Sequence, residues 1–213
     1  MTKNQLLAGL AGVVLGLCSI GANAAKGLTY TYGEVGYSNL DSDDIDANGA
    51  TALISYGATD YVHVKLEYTR FNADREQKTF FTKKTDSFDI DRFIFGIGGN
   101  YRVFDKGSFV NMIDVLGTVS YYDAENSGNK NSGSINDSDR GVQYEAGVRA
   151  LIKKKLELNA TVTYLDIDSF DGETGFGGGA VYKFYKKYSA SGTIRHFSQD
   201  DTTEFFVGLR LDF

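Results

Sequence analysis

Two side chains near the end of the sequence have types and spacing that would suit catalysis. His196 and Ser198 are separated by one residue, so on an extended strand they point to the same face. An imidazole beside a hydroxyl can take its proton and activate the oxygen as a nucleophile. No acid evident in the sequence would orient His196, and the other histidine, His63, is distant in the chain. We therefore predict no catalytic residues and a protein that is not an enzyme.

The rival interpretation of this pair is a lipid-modifying enzyme. The spacing of His196 and Ser198 resembles the His-x-Ser of the outer-membrane lipid A deacylases, in which the serine attacks an acyl chain. Those enzymes continue with small residues, whereas Gln199, Asp200 and Asp201 follow here. On the simpler interpretation, His196 and Ser198 are polar residues at the end of a strand.

The acidic stretch DSDDIDANG resembles the start of a metal-binding loop. Asp44, Asp46, Asn48 and Gly49 match the opening positions of a calcium loop. The twelfth position of such a loop is a glutamate that binds the ion through both oxygens, but here it is Ser55. We predict no metal site and no cofactor, and we expect a solvated acidic loop that shares divalent ions with neighbouring lipopolysaccharide.

Strands of alternating polarity must position these residues. Apolar and polar side chains alternate from Val62 to Thr69 and again from Val142 to Ala150, which is the period of a strand. Each such segment is close to the 9–11 residues with which a tilted strand crosses a membrane. We predict an all-β fold of ten strands, at residues 28–38, 49–57, 61–71, 90–102, 109–122, 140–151, 156–167, 174–184, 188–197 and 203–213.

The connections between these strands alternate in length. Tight turns are predicted at residues 58–60, 104–108, 153–155 and 185–187, and long polar loops at residues 39–48, 72–89 and 123–139. Short turns on one side and long loops on the other are typical of an up-and-down outer-membrane barrel. We predict a single antiparallel transmembrane β-barrel, with short periplasmic turns, long extracellular loops and both termini in the periplasm.

Aromatic residues fall at both ends of the predicted strands. A barrel that crosses a membrane carries a girdle of such rings at each interface. The alternative, a soluble β-sandwich, would turn its apolar faces inward and gives no reason for these positions. The predicted girdles contain Tyr56, Tyr101, Phe109, Tyr182, Phe184, Tyr188 and Phe213 at the short turns, and Tyr68, Phe93, Tyr121, Tyr144, Tyr164, Phe176 and Phe205 at the long loops.

Charged residues occupy the opposite, inward faces. Acids and bases nearly balance, and buried charges are tolerated only when they are paired. A ten-stranded barrel is close in size to those whose interior is filled by side chains. We predict a largely occluded lumen filled by a charge network, with a narrow pore for small solutes or ions as the alternative. The predicted network contains Glu34, Lys65, Glu67, Arg92, Asp114, Glu145, Arg149, Glu157, Lys183, Arg195, Glu204, Arg210 and Asp212.

The last twelve residues, TTEFFVGLRLDF, form a strand that ends on an aromatic ring. A Gly followed by alternating apolar residues and a terminal aromatic resembles the C-terminal signal of bacterial outer-membrane barrels. Gly208, Leu211 and Phe213 match that signal. We therefore expect the barrel-assembly machinery to be a partner of this strand.

The first 24 residues have the features of a secretory signal. Lys3 precedes an apolar run from Leu6 to Ile20, and Ala22, Asn23 and Ala24 form an A-x-A cleavage site. We predict a signal peptide at residues 1–24 and an outer-membrane barrel domain at residues 25–213. Removal of the signal also removes Cys18, the one cysteine, so disulfides do not stabilise the mature chain.

The charge balance restricts the possible partners. The 213 residues include 22 Lys and Arg against 28 Asp and Glu, which argues against binding to nucleic acid. The expected surroundings are outer-membrane lipid and lipopolysaccharide in a Gram-negative cell envelope, and we expect a monomer. The most direct functional prediction is a porin-like, non-enzymatic barrel with a structural or surface-interaction role.

Three segments carry a resemblance to a known family. They are GLTYTYGEVGY at Gly27–Tyr37, YEAGVRA at Tyr144–Ala150 and FVGLRLDF at Phe206–Phe213. With these segments, the mature chain resembles a family of small bacterial outer-membrane β-barrel proteins that was once described as a sulfation-dependent quorum-sensing factor. The resemblance implies an outer-membrane location and a β-barrel fold. It supplies no accepted molecular activity and no catalytic residues.

Overall fold

The structure is a computed structural model that describes residues 28–42, 45–79, 82–130, 133–168 and 170–213. No helix within these ranges has the length and apolar character to cross a membrane. The ten strands are β1 (Tyr32–Asp41), β2 (Asp46–Gly57), β3 (Val62–Thr79), β4 (Thr82–Asp105), β5 (Val110–Lys130), β6 (Gly133–Ile152), β7 (Leu156–Ile167), β8 (Phe170–Tyr185), β9 (Tyr188–Phe197) and β10 (Thr202–Asp212).

Each strand pairs antiparallel with its neighbour in the chain, and the first strand pairs with the last. The β1–β10 ladder runs from Tyr32 opposite Asp212 to Asp41 opposite Thr203. This pairing closes the sheet into one barrel. The predicted all-β, ten-stranded, up-and-down barrel is confirmed, and the sandwich alternative is excluded.

The outer wall of the barrel is apolar. Large hydrophobic side chains such as Val35, Ile97 and Leu209 point away from the lumen, and each is more than half exposed. Exposed aromatic rings flank this surface, including Tyr101 and Tyr182 near the short turns and Tyr144 and Tyr164 towards the opposite end. Tyr144 and Tyr164 are direct cross-strand partners with ring centroids 6.4 Å apart. An apolar wall bordered by rings is the surface that a membrane barrel presents to lipid.

Strands β3 to β6 are longer than predicted. They contain 18, 24, 21 and 20 residues, and their pairing continues to Thr79 opposite Thr82 and to Lys130 opposite Gly133. The segments predicted as loops at 72–89 and 123–139 are therefore mostly β-hairpins, and residues 39–48 are mostly strand as well. The prediction ended each strand where apolar alternation stopped, but backbone hydrogen bonds continue beyond the membrane, where no apolar outer face is needed.

The first strand begins later than predicted. Residues 28–31 precede β1, whereas the sequence pattern placed the strand from residue 28 onwards. Thr31 still contacts both neighbouring strands, because its carbonyl accepts the Phe213 N–H at 3.1 Å and its hydroxyl accepts the Gly57 N–H at 3.0 Å. Leu28 is buried. The chain therefore enters the lumen before it joins the sheet.

Candidate functional site in the barrel lumen

Arg92 on β4 is the centre of the ion pairs in the lumen. Its guanidinium contacts both carboxylate oxygens of Glu204 on β10, with 3.1 Å from Nη1 to Oε2. Its Nη2 lies 3.3 Å from Glu67 Oε1, and Lys65 Nζ lies 3.2 Å from Glu67 Oε2. Arg92, Glu67 and Glu204 are all buried. Buried charges of opposite sign thus neutralise one another inside the barrel.

Arg195 on β9 extends this network across the lumen. Its guanidinium lies 3.6 Å from Glu204 Oε2 and 3.6 Å from Glu145 Oε2 on β6. Because β6 and β10 are separated by three strands on one side and five on the other, the ion pairs connect opposite walls. At this level of the barrel, ion-paired side chains therefore extend into the lumen from both walls.

A second group of ion pairs lies nearer the short turns. Arg149 Nη2 is 2.7 Å from Glu157 Oε1, and Arg210 Nη1 is 3.6 Å from the same oxygen. Asp212 Oδ1 lies 2.9 Å from Arg210 Nε, and its Oδ2 lies 2.7 Å from Lys183 Nζ. This group joins β6, β7, β8 and β10.

The predicted lumen charges have different surroundings. Asp114 Oδ1 lies 2.9 Å from Arg102 Nε. The predicted network did not include Arg102. Its position on β4, an even number of residues from Arg92, could have assigned it to the inward face. Glu34 lines the cavity described below and has no ion pair within the described residues. The other predicted charges occur in the two groups above: Lys65, Glu67, Arg92, Glu145, Arg149, Glu157, Lys183, Arg195, Glu204, Arg210 and Asp212.

Tyr30 fills the lumen at the short-turn end. Its ring stacks on His63 with centroids 4.9 Å apart, and the Arg149 guanidinium lies 4.4 Å from the ring centroid. Its hydroxyl donates to Asp114 Oδ2 at 3.3 Å, and its carbonyl accepts the Ser55 hydroxyl at 2.7 Å. These partners belong to β2, β3, β5 and β6. Sequence reasoning missed this role because it assigned Tyr30 to a strand.

The opposite end of the lumen contains apolar side chains. Ala47, Phe71 and Ala73 are almost completely buried, and the Arg92 guanidinium lies 5.4 Å from the Phe71 ring centroid. We call this group the outer apolar cluster; its other members are Leu40, Ile45, Phe88 and Ile90. The inward face of the barrel thus changes from charged to apolar towards the long hairpins, a change that the sequence reasoning did not predict.

A cavity of about 180 Å³ remains inside the barrel. Its walls include Glu34, Lys65, Thr161 and Arg195, and Tyr30 lines its short-turn side. Each water in the liquid occupies about 30 Å³, so the cavity has room for roughly six waters. The lumen therefore encloses a small polar chamber.

The glycines on the inner face of β8 are covered by neighbouring side chains. A Cβ atom at Gly177 would lie 2.8 Å from Thr161 Oγ1, and one at Gly179 would lie 2.6 Å from Thr193 Cγ2. Gly177 nevertheless lines the cavity, together with Gly178. Gly177 and Gly179 therefore give room to the side chains of Thr161 and Thr193, and Gly177 also borders the cavity.

His196 lies near the end of β9, and Ser198 follows the strand. The two side chains are not arranged so that the imidazole could take the proton of the serine hydroxyl. The Ser198 hydroxyl donates to the Thr174 carbonyl at 2.9 Å. His196 Nδ1 lies 3.1 Å from Thr203 Oγ1, and its Nε2 lies 3.8 Å from the exposed carboxylate of Asp201. An acid near His196 is therefore present, contrary to the sequence analysis, but the serine hydroxyl hydrogen-bonds to a backbone carbonyl instead of the imidazole.

Asp46, Asn48 and Gly49, which match the start of a calcium loop, belong to a strand. Asp46 begins β2, and Asn48 Oδ1 accepts a hydrogen bond from the Asn39 side chain at 3.1 Å. Asp44 lies outside the described residues. Within the part of the chain that the structure describes, no group of three or more His, Cys, Asp or Glu is placed to hold a metal ion.

Comparison with protein families identifies the group to which this barrel is related. Residues 10–184 match the outer membrane protein beta-barrel domain family. The chain belongs to this family. It is therefore a bacterial outer-membrane barrel, as the apolar wall and its aromatic borders also indicate. No curated protein matches the chain.

Solved structures of several outer-membrane barrels are similar to this chain. The beta domain of the Bordetella autotransporter BrkA is 12% identical, with a TM-score of 0.50, 85% of this chain covered and 98% of that one. KdgM porin in complex with disordered oligogalacturonate is 14% identical, with a TM-score of 0.49 and coverages of 84% and 99%. Ail, the attachment invasion locus protein of Yersinia pestis, is 12% identical, with a TM-score of 0.45 and coverages of 87% and 100%. At these identities the likeness is one of fold.

Proposed function

We propose that this protein is a non-enzymatic outer-membrane barrel with a structural or surface-interaction role and a lumen that does not conduct. The observation that carries this proposal is the filled interior. Ion pairs centred on Arg92 and Arg195 cross the lumen, Tyr30 fills one end, and the outer apolar cluster fills the other. The cavity between them is lined by charged side chains of both ion-pair groups, among them Glu67, Arg149 and Arg195.

The connections between strands support an orientation of the barrel in the membrane. Short turns of outer-membrane barrels face the periplasm and longer connections face outwards. We place both termini in the periplasm, and the long hairpins of β3–β4 and β5–β6 at the cell surface. Partners would then meet the barrel on these hairpins, with lipopolysaccharide around the wall. We expect a monomer, and we do not extend to it the signalling role once ascribed to the family that it resembles.

The last strand is the expected contact for the barrel-assembly machinery. Gly208 and Leu211 lie within β10, which pairs with β1 at the closing seam, and Phe213 follows its last residue. The match of these residues to the C-terminal signal of bacterial outer-membrane barrels supports this part of the proposal. Recognition there would couple insertion to closure of the barrel.

The first prediction concerns conductance. The mature protein, refolded in detergent and inserted into a planar bilayer, is expected to show no discrete current steps, because ion-paired side chains obstruct the lumen. Heat-dependent gel mobility confirms that the inserted sample is folded. Steps that change in size in Glu145→Gln or Arg195→Gln would contradict the proposal and establish the alternative, a narrow pore. The polar chamber is the observation that favours this alternative.

The second prediction concerns lipid chemistry. Cells that produce the protein are expected to contain lipid A of the same mass as cells that lack it. The Ser198 hydroxyl donates its hydrogen bond to the Thr174 carbonyl, so His196 does not activate it as a nucleophile. Mass spectrometry of extracted lipid A makes this measurement, and the His196→Ala variant is the matched control. A mass change that depends on His196 would instead establish a lipid A-modifying enzyme.

A further inference from the structure

Residues Leu28–Tyr30, which we call the N-terminal strap, lie in the lumen without being part of its wall. The ladder between β1 and β10 begins at Tyr32. Thr31, the residue before it, is hydrogen-bonded to Phe213, next to β10, and to Gly57 on β2. Among the described residues, the strap therefore has no strand pairing of its own and continues into the wall at Thr31. Its removal would leave the pairing of all ten strands intact.

The strap is held by side chains from opposite walls. The Thr29 carbonyl accepts a hydrogen bond from Arg149 Nη2 at 3.2 Å and one from Arg210 Nη2 at 3.3 Å. Arg149 is on β6 and Arg210 is on β10, so the two guanidiniums approach one oxygen from different sides of the barrel. Both arginines also pair with Glu157. Each guanidinium has five N–H donors, so it can donate to the Thr29 carbonyl as well as to the Glu157 carboxylate.

Tyr30 has the largest side chain of the strap. Its ring lies between His63 and the Arg149 guanidinium, and its hydroxyl reaches Asp114. Tyr30 and His63 both line the cavity. The ring therefore forms part of the chamber wall, between His63 and Arg149.

We propose that the N-terminal strap is a releasable plug that controls the entry of small polar solutes into the lumen chamber. Every contact described above for Thr29 and Tyr30 is polar or aromatic, and water can replace each of the hydrogen bonds when the strap leaves. The plug swings about Thr31 while the barrel stays closed. Release would open the chamber towards the side of the short turns, and the outer apolar cluster would still close the opposite end.

Reaction of a thiol in the chamber wall tests this plug. The mature chain has no cysteine, so Thr161→Cys places a single thiol in the chamber wall. The probe is a small cationic methanethiosulfonate reagent, and mass spectrometry follows its reaction with the refolded protein. We expect the thiol to react at least tenfold faster in a chain that starts at Thr31 than in the full mature chain. Tyr30→Ala in the full mature chain should also accelerate the reaction, and this variant retains every residue of the ladders.

The control is Asp200→Cys, an exposed position in the β9–β10 connection. This thiol should react at the same rate with and without the strap, and gel mobility verifies that each barrel is folded. Equal rates for Thr161→Cys with and without the strap would overturn the proposal. The proposal would also be overturned if Thr161→Cys in the full mature chain reacted as fast as the exposed control Asp200→Cys. Because the readout is access to the chamber and not current through it, the result is independent of the conductance experiment.

Discussion

Replacement of Arg92 by methionine is expected to destabilise the folded barrel by about 3–5 kcal/mol. The substitution leaves the carboxylates of Glu67, Glu204 and Glu145 with two cations, Lys65 and Arg195, so that one carboxylate of this network lacks a matching positive charge. A buried carboxylate that loses its partner keeps the full cost of its desolvation. Urea titration of the protein in lipid vesicles, with folded and unfolded bands separated by gel mobility, measures the loss. The chain has no tryptophan, so a gel readout is preferable to intrinsic tryptophan fluorescence.

Arg140→Met is the matched control for this substitution. Arg140 pairs with Asp123 at 3.5 Å, but its side chain is 56% exposed. Exposed pairs contribute about 0–1 kcal/mol, so the control should change the free energy of unfolding by no more than that amount. The double variant Arg92→Met, Glu204→Gln should recover part of the loss, because the Lys65–Glu67 and Arg195–Glu145 pairs that remain are balanced in charge. A loss below about 1 kcal/mol for Arg92→Met alone would show that water solvates these carboxylates in the lumen.

Gly36→Ala is expected to impair closure of the barrel, with a loss of about 3 kcal/mol or a failure to fold. Gly36 lies opposite Gly208 in the ladder between β1 and β10. A Cβ atom at position 36 would lie 2.2 Å from the Val207 carbonyl oxygen and 2.6 Å from Gly208 Cα. These are backbone atoms, which cannot rotate aside as a side chain can. The two strands would have to separate at the seam that closes the sheet.

Gly192→Ala is the control for this second substitution. A Cβ atom there would lie 3.7 Å from the Phe206 carbonyl oxygen, which is an ordinary contact distance. The same gel assay in urea should detect a change within about 0.5 kcal/mol for this variant. If Gly36→Ala were as stable as Gly192→Ala, the β1–β10 seam would be wider than the structure indicates.

The sequence alone determined the fold class and the number of strands. Side chains on a strand point alternately to its two faces, so a stretch such as Val62–Thr69 identifies both a strand and its apolar side. The same alternation assigned Arg92, Glu145 and Arg195 to the face opposite the lipid. Polar composition, however, was a poor guide to loops, because the hairpins beyond the membrane are paired and have no apolar outer face.

Only the tertiary structure decided which inward side chains meet. Arg92 contacts Glu204, which is 112 residues away in the sequence, and Thr29 meets Arg149 and Arg210 from two separate strands. Alternation fixes the face of each residue, but it does not fix the height of one strand relative to another across the lumen. That height depends on the stagger of all ten ladders together. This stagger and the packing of side chains also determine the N-terminal strap, the outer apolar cluster and the close approach at Gly36. The alternation of side chains along each strand determines none of them.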